Sequence, residues 1–477
     1  MTGGILSAGP GVTSADLVVI GAGPAGLAAA TEAAKAGLSV VVMDEQPRPG
    51  GQIYRAIETV TPKREAILGA EYSAGRPLVE SFRASRALYL PGTSVWNIGT
   101  DLMIDYSREG ASSQIRARAI LSATGALERP VPMPGWTLPG VTTVGALQIL
   151  LKASGIVQAD AVLVGAGPLL WLVAQQMVAA GSPPKAMVEN VPRGRMRAAL
   201  KYAAPALRGR SYLIKGLKLM RAVRAAGVPV YAHATDLRIE GEGEGAAEAI
   251  SFTAGGRSHR IESGAIALHQ GVVPNQQVTR LLRAEHLWDA SQHCFRPKLD
   301  AAGQTTVPGL YVAGDSAGIS GAVSAALEGR LVALSIVKAL TGQGEEARIT
   351  RLRAALDRDR AVRPLLETLY APAPEIVAPA DGVLLCRCEE VTAGSVREAV
   401  RLGAPGPNQV KSLLRAGMGP CQGRVCGLAV AGVIAAAKGE SPSVTGYYRI
   451  RPPLKPLQLS ELANFAPAPD VPEVITK

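Results

Sequence analysis

Four of the five cysteines lie close together near the end of the chain. One pair, Cys386 and Cys388, is separated by a single residue, and after 32 intervening residues a second pair follows, Cys421 and Cys426, which is separated by four. Four thiolates can hold a zinc ion or an iron–sulfur cluster. Zinc sites usually place two to four residues between paired cysteines, so the Cys-x-Cys pair favours a [2Fe–2S] cluster over structural zinc.

The residues around the second cysteine pair suit a sulfur-ligated group. Glycines leave backbone N–H groups free to point at sulfides, and cations can offset the negative charge of thiolates. The glycines are Gly417, Gly419, Gly423 and Gly427, and the cations are Arg387, Lys411, Arg415 and Arg424. The fifth cysteine, Cys294, has no base or second cysteine nearby in the sequence and is predicted to be a buried thiol.

A glycine-rich turn near the start of the chain has the spacing of a dinucleotide-binding loop. It follows the apolar run 16–20 and opens a helical run to residue 36 with the residues Gly21, Gly23, Pro24, Ala25 and Gly26. Gly21 permits the tight turn, Gly23 lets the backbone approach a pyrophosphate, and Gly26 lets the helix pack against the strand. The helix N-terminus offers N–H groups to phosphate oxygens.

The residues after this loop indicate which nucleotide it binds. A second apolar run ends in Asp44 and Glu45, which are both placed to accept hydrogen bonds from ribose hydroxyls and which disfavour the 2′-phosphate of NADP. The next stretch resembles the second pyrophosphate loop of flavoproteins with two dinucleotide domains, and it contains Gly50, Gly51 and Gln52.

Two later stretches agree with FAD. A strand from residue 119 ends in Thr124 and Gly125, and another from residue 309 ends in Gly314 and Asp315, followed by a small-residue helix that begins with Ala322. By resemblance to the flavoprotein superfamily, Asp315 is expected to contact the ribityl–phosphate end of FAD.

A second nucleotide-type unit begins at Ala161 but departs from the glycine pattern. It keeps Gly165 and Gly167, yet the third glycine position holds Leu170, followed by Trp171. A leucine there pushes the helix away or fills the cleft, which favours a scaffold that has lost its dinucleotide. An NAD(P)H site and a smaller adenine nucleotide held for structure are the alternatives. His269, on a later strand, is predicted to be a structural hydrogen bonder rather than a flavin neighbour.

Composition and charge exclude several classes of protein. The chain has 477 residues, enough for two or three domains, and a net charge of +11. Its basic residues are scattered and not interleaved with aromatics, so nucleic-acid binding is not expected; a solvated basic surface or an acidic protein partner fits better. Residues 1–15 lack a targeting pattern, and no apolar run could span a bilayer, so a cytoplasmic location without a transmembrane segment is expected.

Three stretches together resemble one family of bacterial enzyme subunits. They are residues 44–55, the loop 165–170, and the cysteine stretch 415–426. The chain is similar to the FAD-containing A (α) subunit of heteromeric opine (octopine and nopaline) oxidases, D-hydroxyproline dehydrogenases and hydrogen cyanide synthase (its B subunit). The cysteine module is similar to the small domain of bacterioferritin-associated ferredoxin. The leucine at position 170 is shared by opine-type members, which supports a lost NAD site.

The resemblance implies an α/β fold of the glutathione- and thioredoxin-reductase type, with two dinucleotide-binding domains and a small helical [2Fe–2S] ferredoxin-like domain at the C-terminus. The expected domains are an FAD domain (1–135 and 255–345), a degenerate NAD-type domain (136–254), a linker (346–382), a cysteine domain (383–440) and a tail (441–477).

The resemblance also implies that this chain transfers electrons within a multi-subunit enzyme that oxidises C–N bonds. A β subunit similar to D-amino-acid oxidases would carry its own FAD and oxidise the substrate, with an FMN between subunits in several members and room for a small third iron–sulfur subunit. This chain would then contain no catalytic base. The alternatives are a self-sufficient NAD(P)H-dependent reductase, for which the residues 136–254 lack a redox cysteine pair, and a non-catalytic FAD and zinc scaffold.

Overall fold

A computed structural model describes residues 13–241 and 245–466 of the chain. The first stretch alternates strands and helices and then forms an antiparallel meander. Its elements are β1 (Ser14–Ile20), α1 (Pro24–Lys35), β2 (Val40–Asp44), α2 (Pro62–Leu68), α3 (Ala70–Ser73), α4 (Arg76–Arg83), β3 (Leu88–Pro91), β4 (Ser94–Ile98), β5 (Met103–Arg108), β6 (Ala111–Ser122) and β7 (Ala126–Glu128).

The first sheet is built around β1, whose apolar residues are buried, as expected for a central parallel strand. It has eight strands, with β3-β2-β1-β6-β5-β4 as its main path. The stretch 95–118 contains two turn signals, Glu109-Gly110 and Ser112-Ser113, from which two turns would be predicted. The first forms a turn with positive φ at both residues, whereas Ser112 and Ser113 lie within the long strand β6.

The second unit contains a five-stranded parallel sheet and a separate three-stranded antiparallel sheet. Its elements are β8 (Val141–Thr143), α5 (Val144–Ser154), β9 (Val162–Ala166), α6 (Pro168–Ala179), β10 (Ala186–Glu189), α7 (Arg195–Ala199), α8 (Ala203–Ala206), α9 (Arg210–Ala225), β11 (Val230–Tyr231), β12 (Thr235–Glu240), β13 (Ala249–Ala254), β14 (Arg257–Glu262) and β15 (Ile266–Gln270).

The boundary expected at residue 254 lies too early. Strand β14 pairs with β13, and β15 lies between β9 and β8 in the five-stranded sheet, so the second unit continues to Gln270. The apolar sequence of β15 is compatible with a strand in either sheet. Its hydrogen-bonded pairing with β8 and β9 shows that it belongs to the second one.

The chain then returns to the first unit. The elements of this return are β16 (Val272–Pro274), α10 (Gln277–Leu281), β17 (His286–Asp289), β18 (Cys294–Pro297), β19 (Leu310–Val312) and α11 (Ala322–Thr341). Strand β19 pairs in parallel with the end of β6, and α11 packs against α1. This close helix packing requires Gly329, because a Cβ there would lie 2.2 Å from the carbonyl oxygen of Ala25.

The C-terminal part contains α12 (Glu346–Arg360), α13 (Arg363–Leu369), α14 (Pro374–Val377), β20 (Leu384–Cys386), β21 (Val391–Thr392), α15 (Ala393–Arg401), α16 (Pro407–Leu414), α17 (Gly427–Lys438), α18 (Pro442–Thr445), α19 (Leu459–Ala463) and β22 (Phe465–Ala466). Among the described helices, none combines the length and the hydropathy needed to cross a bilayer.

Both the expected linker and the described part of the expected tail pack against the rest of the chain. Residues expected to form a linker are helical and bury Leu356 and Ile376. Within the expected tail, Tyr448 and Leu454 are buried with the cysteine module, and β22 pairs with β6 of the first sheet. Residues 467–477 of that tail, and residues 1–12 of the expected FAD domain, lie outside the described residues.

Candidate cofactor sites

The first glycine loop is shaped by close backbone contacts at the carboxyl end of β1. Gly21 has φ +108°, and a Cβ there would lie 2.4 Å from the carbonyl oxygen of Ala123. A Cβ on Gly26 would lie 1.9 Å from the carbonyl oxygen of Gly21. Both glycines are therefore required by the fold of the loop itself.

Gly23 and Gly51 bring two loops face to face. A Cβ on Gly51 would lie 2.8 Å from the Cα of Gly23, whereas a Cβ on Gly23 would meet only the Gly51 Cα, at 3.9 Å. The Gly50 N–H donates to the carbonyl oxygen of Ala22 at 2.8 Å, which joins the loops. Bare backbone beside a helix N-terminus is the surface that a dinucleotide pyrophosphate needs, so these residues fit FAD.

Asp44 is the acid that faces the glycine loop. Its carboxylate accepts from the N–H groups of Ala22 at 2.6 Å and of Gln46 at 2.7 Å, while burial raises the pKa of Asp44. A carboxylate has about four acceptor positions, so capacity for ribose hydroxyls remains. Glu45, the other predicted acid, is exposed and forms an ion pair with Lys455.

The late Gly-Asp motif is brought beside the Thr-Gly motif because β19 pairs with the end of β6. The Asp315 carboxylate accepts from the N–H groups of Ser320 at 2.9 Å and Gly321 at 3.0 Å, directly before Ala322 at the start of α11. On the other side, the Thr124 hydroxyl donates to the carbonyl oxygen of Asn275 at 3.4 Å.

Glu328 is a buried acid of this region that sequence reasoning missed. Its carboxylate accepts from the Gly314 N–H at 2.8 Å and pairs with Arg360 at 3.0 Å, and burial raises its pKa. The sequence offered one sign of this residue, since Glu328 is the single acid in α11.

Lys152 is a second missed residue, and it joins the two nucleotide-type units. Its amine is buried and donates to the carbonyl oxygen of Gln52 at 3.1 Å and to the side chain of Gln148 at 2.8 Å. Gln148 bonds Gln176, which reaches the carbonyl oxygen of Leu68 in the first unit. Burial lowers the pKa of Lys152 to about 7. Nothing local in the sequence marks this residue, because its partner Gln52 is 100 positions away.

Several side chains of the chain itself lie around the second glycine loop. Leu170 and Trp171 are fully buried and belong to the hydrophobic core of the second unit. The Trp171 indole donates to Glu189 at 2.9 Å, at the position where a ribose-binding acid would be expected. The ring of His269 lies against Gly167, and its Nδ1 lies 2.5 Å from the Glu128 carboxylate.

The four cysteines come together between β20 and α17. Cys386 ends β20, Cys388 lies in the following turn, Cys421 lies in the loop after α16, and Cys426 precedes α17. Their contacts run as a chain, from Cys386 to Cys426 to Cys421 to Cys388. Among the described residues, no three His, Cys, Asp or Glu side chains surround a single metal position.

Hydrogen bonds polarise these thiols. Hydrogen bonding with Cys426 lowers the pKa of Cys386 to about 6, and Cys421, which contacts the same thiol, also has a pKa below its ordinary value. The N–H groups of Gly417 and Gly423 point at these two sulfurs, as predicted for them, whereas the N–H of Gly427 donates to the carbonyl oxygen of Gly423 at 2.8 Å. Burial raises the pKa of Cys388, and the neighbouring sulfurs raise that of Cys426, so the lowered pKa is confined to two of the four thiols. Four sulfurs gathered around backbone N–H donors fit a thiolate-ligated cluster.

The cations predicted to balance the cluster divide into two groups. Arg415 pairs with Glu389 at 2.9 Å, and Arg387 lies over the Trp136 ring, so both are engaged elsewhere. Arg424 bonds the carbonyl oxygen of Cys421 at 3.1 Å, and Lys411 lies 5.6 Å from the centroid of the Tyr448 ring. Neither of these two forms an ion pair with a carboxylate within the described part of the chain. Cys294 is buried, as predicted, and burial raises its pKa to about 12.

Two family models match the chain in the order that these sites predict. The pyridine nucleotide-disulphide oxidoreductase family matches residues 15–329, and the BFD-like [2Fe-2S] binding domain matches residues 384–436. The predicted fold class and the two predicted cofactors, FAD and a [2Fe–2S] cluster, are thereby confirmed.

Proteins of known sequence and structure match nearly the whole chain. The opine oxidase A subunit of Rhizobium meliloti (strain 1021) is 44% identical over 94% of this chain and 98% of its own length. Hydrogen cyanide synthase subunit HcnB of Pseudomonas aeruginosa is 32% identical over 94% and 98%. The crystal structure of L-proline dehydrogenase from P. horikoshii superposes with a TM-score of 0.70 at 21% identity, covering 94% of this chain and 79% of that one, which shows the shared fold.

These relatives confirm the resemblance predicted from the motifs. The family consists of oxidoreductase subunits that act on C–N bonds in multi-subunit enzymes, and a flavin and iron–sulfur component of such a complex is what the two matched domains describe. With 44% identity over nearly its full length, this chain belongs to the family of the opine oxidase A subunit.

Proposed function

We propose that this chain relays electrons within a heteromeric opine or imino-acid dehydrogenase, of the octopine, nopaline or hydroxyproline type. A partner β subunit, similar to D-amino-acid oxidases, would oxidise the C–N bond, and this chain would pass the electrons to an acceptor. The observation that carries the proposal is the second nucleotide loop, where the His269 ring lies against Gly167 and the Trp171 indole donates to Glu189, while the two redox sites have the features that their cofactors need. A chain that cannot take NAD(P)H needs a protein to supply its electrons.

The cofactor-binding roles are part of this proposal, and the close backbone contacts of the glycine loops and the grouping of the cysteines support them. The FAD cradle would be formed by Gly21, Gly23, Pro24, Ala25, Gly26, Asp44, Glu45, Gly50, Gly51, Gln52, Thr124, Gly125, Gly314, Asp315 and Ala322, and the cluster would be held by Cys386, Cys388, Cys421 and Cys426. Glu45 is the weakest member, since Lys455 already pairs with it. When bound, FAD and the cluster supply the redox chemistry, and the chain's own residues orient them. No residue is assigned as a substrate base.

One surface supports a protein partner. Residues 190–235 contain many Lys and Arg and no Asp or Glu. On α9 and the turn before it, the exposed side chains Leu207, Ile214 and Leu217 share one helical face with Arg210, Lys218 and Arg221. An apolar centre with a cationic rim fits a partner protein whose docking face is apolar and acidic.

The finer features of the complex remain part of the proposal. They comprise the β subunit type, an FMN at an interface between chains and a small third iron–sulfur subunit. The names of the relatives support assembly with other chains, since opine oxidase, hydrogen cyanide synthase and sarcosine oxidase are each represented by a named subunit. A cytoplasmic location stays a prediction.

The test is an absorption spectrum of the purified chain with and without the co-expressed partner. We expect flavin bands with a broad iron–sulfur shoulder, unchanged by NADH, and bleached by an opine or imino acid only when the partner is present. Bleaching of the isolated chain by NADH would establish a self-sufficient reductase instead. Metal analysis that finds zinc without iron or acid-labile sulfide would favour the FAD and zinc scaffold.

A further inference from the structure

Arg280, in the short helix α10, is a buried guanidinium without a carboxylate partner. Its Nε donates to the Gln276 side chain at 2.7 Å, while its Nη2 is buried and has no hydrogen-bond partner. Among the residues that the structure describes, no Asp or Glu oxygen lies within ion-pair distance of it. Because burying an uncompensated charge is strongly unfavourable, a counter-charge is expected nearby in the assembled protein.

An aromatic cage holds the guanidinium in place. The Cζ of Arg280 lies 4.1 Å from the ring centroid of Tyr447 and 4.9 Å from that of Phe295. Such desolvated cation–π contacts are attractive and fix the position of the cation. The rings carry no net charge, so they do not supply the missing anion.

Tyr447 leads from this cation to the cysteine loops. Its hydroxyl donates to the carbonyl oxygen of Gly423 at 3.4 Å, and a Cβ on Gly427 would lie 2.3 Å from that hydroxyl. Burial raises the pKa of Tyr447 to about 12, and the charges of Arg280, Cys426 and Cys421 all act on it. Tyr447 therefore contacts Arg280 of the first unit on one side and, on the other, the backbone that follows Cys421 and Cys426 in the cysteine module.

We propose that Arg280 is the counter-charge that the first unit supplies to the four-cysteine site, and that it raises the reduction potential of the cluster held there. Four thiolates give this site a net negative charge, and one electron received from a reduced flavin adds one more negative charge without a proton. A fixed cation stabilises the more negative state. Arg424 and Lys411 act from within the module, whereas Arg280 acts only when the two units are docked.

This inference requires the cluster but does not depend on which partner supplies the electrons. It is tested by redox titration of the isolated chain, following the cluster by visible absorption and electron paramagnetic resonance. In Arg280→Met the ratio of reduced to oxidised cluster at a fixed potential should fall about tenfold, which for one electron corresponds to about 59 mV. Arg280→Lys keeps the charge and should stay close to wild type.

The matched control is Arg296→Met, which removes a cation of the same unit that Asp289 already neutralises at 3.1 Å. It should leave the potential unchanged. An unchanged potential in Arg280→Met, with full iron and sulfide content, would overturn the proposal, as would an equal shift in Arg280→Lys. If Arg280→Met does not retain the cluster, Arg280→Gln is titrated in its place and compared with Arg280→Lys. An unchanged potential in Arg280→Gln, or an equal shift in Arg280→Lys, would then overturn the proposal.

Discussion

The indole nitrogen of Trp171 lies 2.9 Å from a carboxylate oxygen of Glu189, inside the cleft where a second dinucleotide would bind. Trp171 follows the leucine that replaces the third glycine, and Glu189 ends β10. Glu189 thus already has a side-chain partner at the position where an acid would contact a ribose. Burial raises the pKa of Glu189, and the hydrogen bond from Trp171 opposes this shift because it stabilises the carboxylate.

We expect Trp171→Phe to destabilise the chain by roughly 1–3 kcal/mol, because it leaves the Glu189 carboxylate buried without its donor. Urea unfolding of the apoprotein measures this loss. Trp171→Phe combined with Glu189→Met removes both partners and should recover part of the stability. Equal stability of wild type and Trp171→Phe would contradict the role given to this bond. Neither variant should allow NADH to bleach the flavin, since Leu170 and His269 remain.

We expect Gly23→Ala to weaken FAD binding and Gly26→Ala to weaken folding. An added Cβ at Gly23 meets nothing closer than 3.9 Å, so this variant should fold but lose FAD affinity by on the order of tenfold, or about 1.4 kcal/mol, because the methyl group occupies pyrophosphate space. At Gly26 the Cβ would clash with backbone at 1.9 Å, so folding itself should suffer. FAD content and thermal melting separate the two effects.

Gly216→Ala is the control for this pair. It lies in α9 with nothing within 4 Å of the added Cβ, so it should keep FAD and lose no stability. If Gly23→Ala retains all of its FAD, Gly23 does not belong to the FAD-binding residues.

Lys152 should make stability depend on pH in a defined window. Its pKa falls from 10.5 to about 7 on folding, so between these values the unfolded chain binds more protons and stability rises with pH. Within this window Lys152 raises the free energy of unfolding by up to about 1.4 kcal/mol per pH unit, and below the folded-state pKa its contribution does not change with pH. In Lys152→Met the slope across this window should be smaller than in wild type by that amount.

Chemical unfolding at several pH values, on protein stripped of FAD, measures the slope for each variant. Lys298→Met removes an amine that is half-exposed, and it should leave the wild-type slope unchanged. A wild-type slope in Lys152→Met would mean that the buried amine does not titrate in this range.

Cys421→Ser should lower bound iron and acid-labile sulfide to a small fraction of the wild-type content, because Cys421 contacts both Cys426 and Cys388 in the chain of thiols. Cys294→Ala is the control and should retain both, since that thiol is buried in the first unit. Loss of the cluster from Cys294→Ala but not from Cys421→Ser would refute the ligand assignment.

Leu217→Glu should weaken binding of the partner protein, because it places an acid at the centre of the apolar and basic face of α9. The side chain of Leu217 is 67% exposed, so folding and FAD content should be unaffected. Leu402→Glu is a matched control at a 76% exposed position on the cysteine module. Size-exclusion chromatography of co-expressed subunits measures the complex. Equal complex formation by both variants would exclude this face.

Local patterns were sufficient for the cofactor loops and the family. Gly21, Gly23 and Gly26 indicate a strand, a tight turn and a helix within one short stretch, and the cysteine pairs indicate a sulfur-ligated group. Each of these signals depends on residues a few positions apart, where backbone geometry alone dictates the spacing. Leu170 likewise indicated an altered second nucleotide loop, because it stands where the third glycine of the pattern would be.

Short stretches of sequence were enough to predict the nucleotide loop, the cysteine module and the loss of the third glycine. The folded chain was needed to place β15 in the second sheet, to pair the tail with β6, and to bring Lys152, Glu328 and Arg280 into largely buried positions near the cofactor sites. Strand pairing and the burial of a charge depend on partners far away in the chain. A short apolar run or a single cation carries no local mark of which partner it will meet.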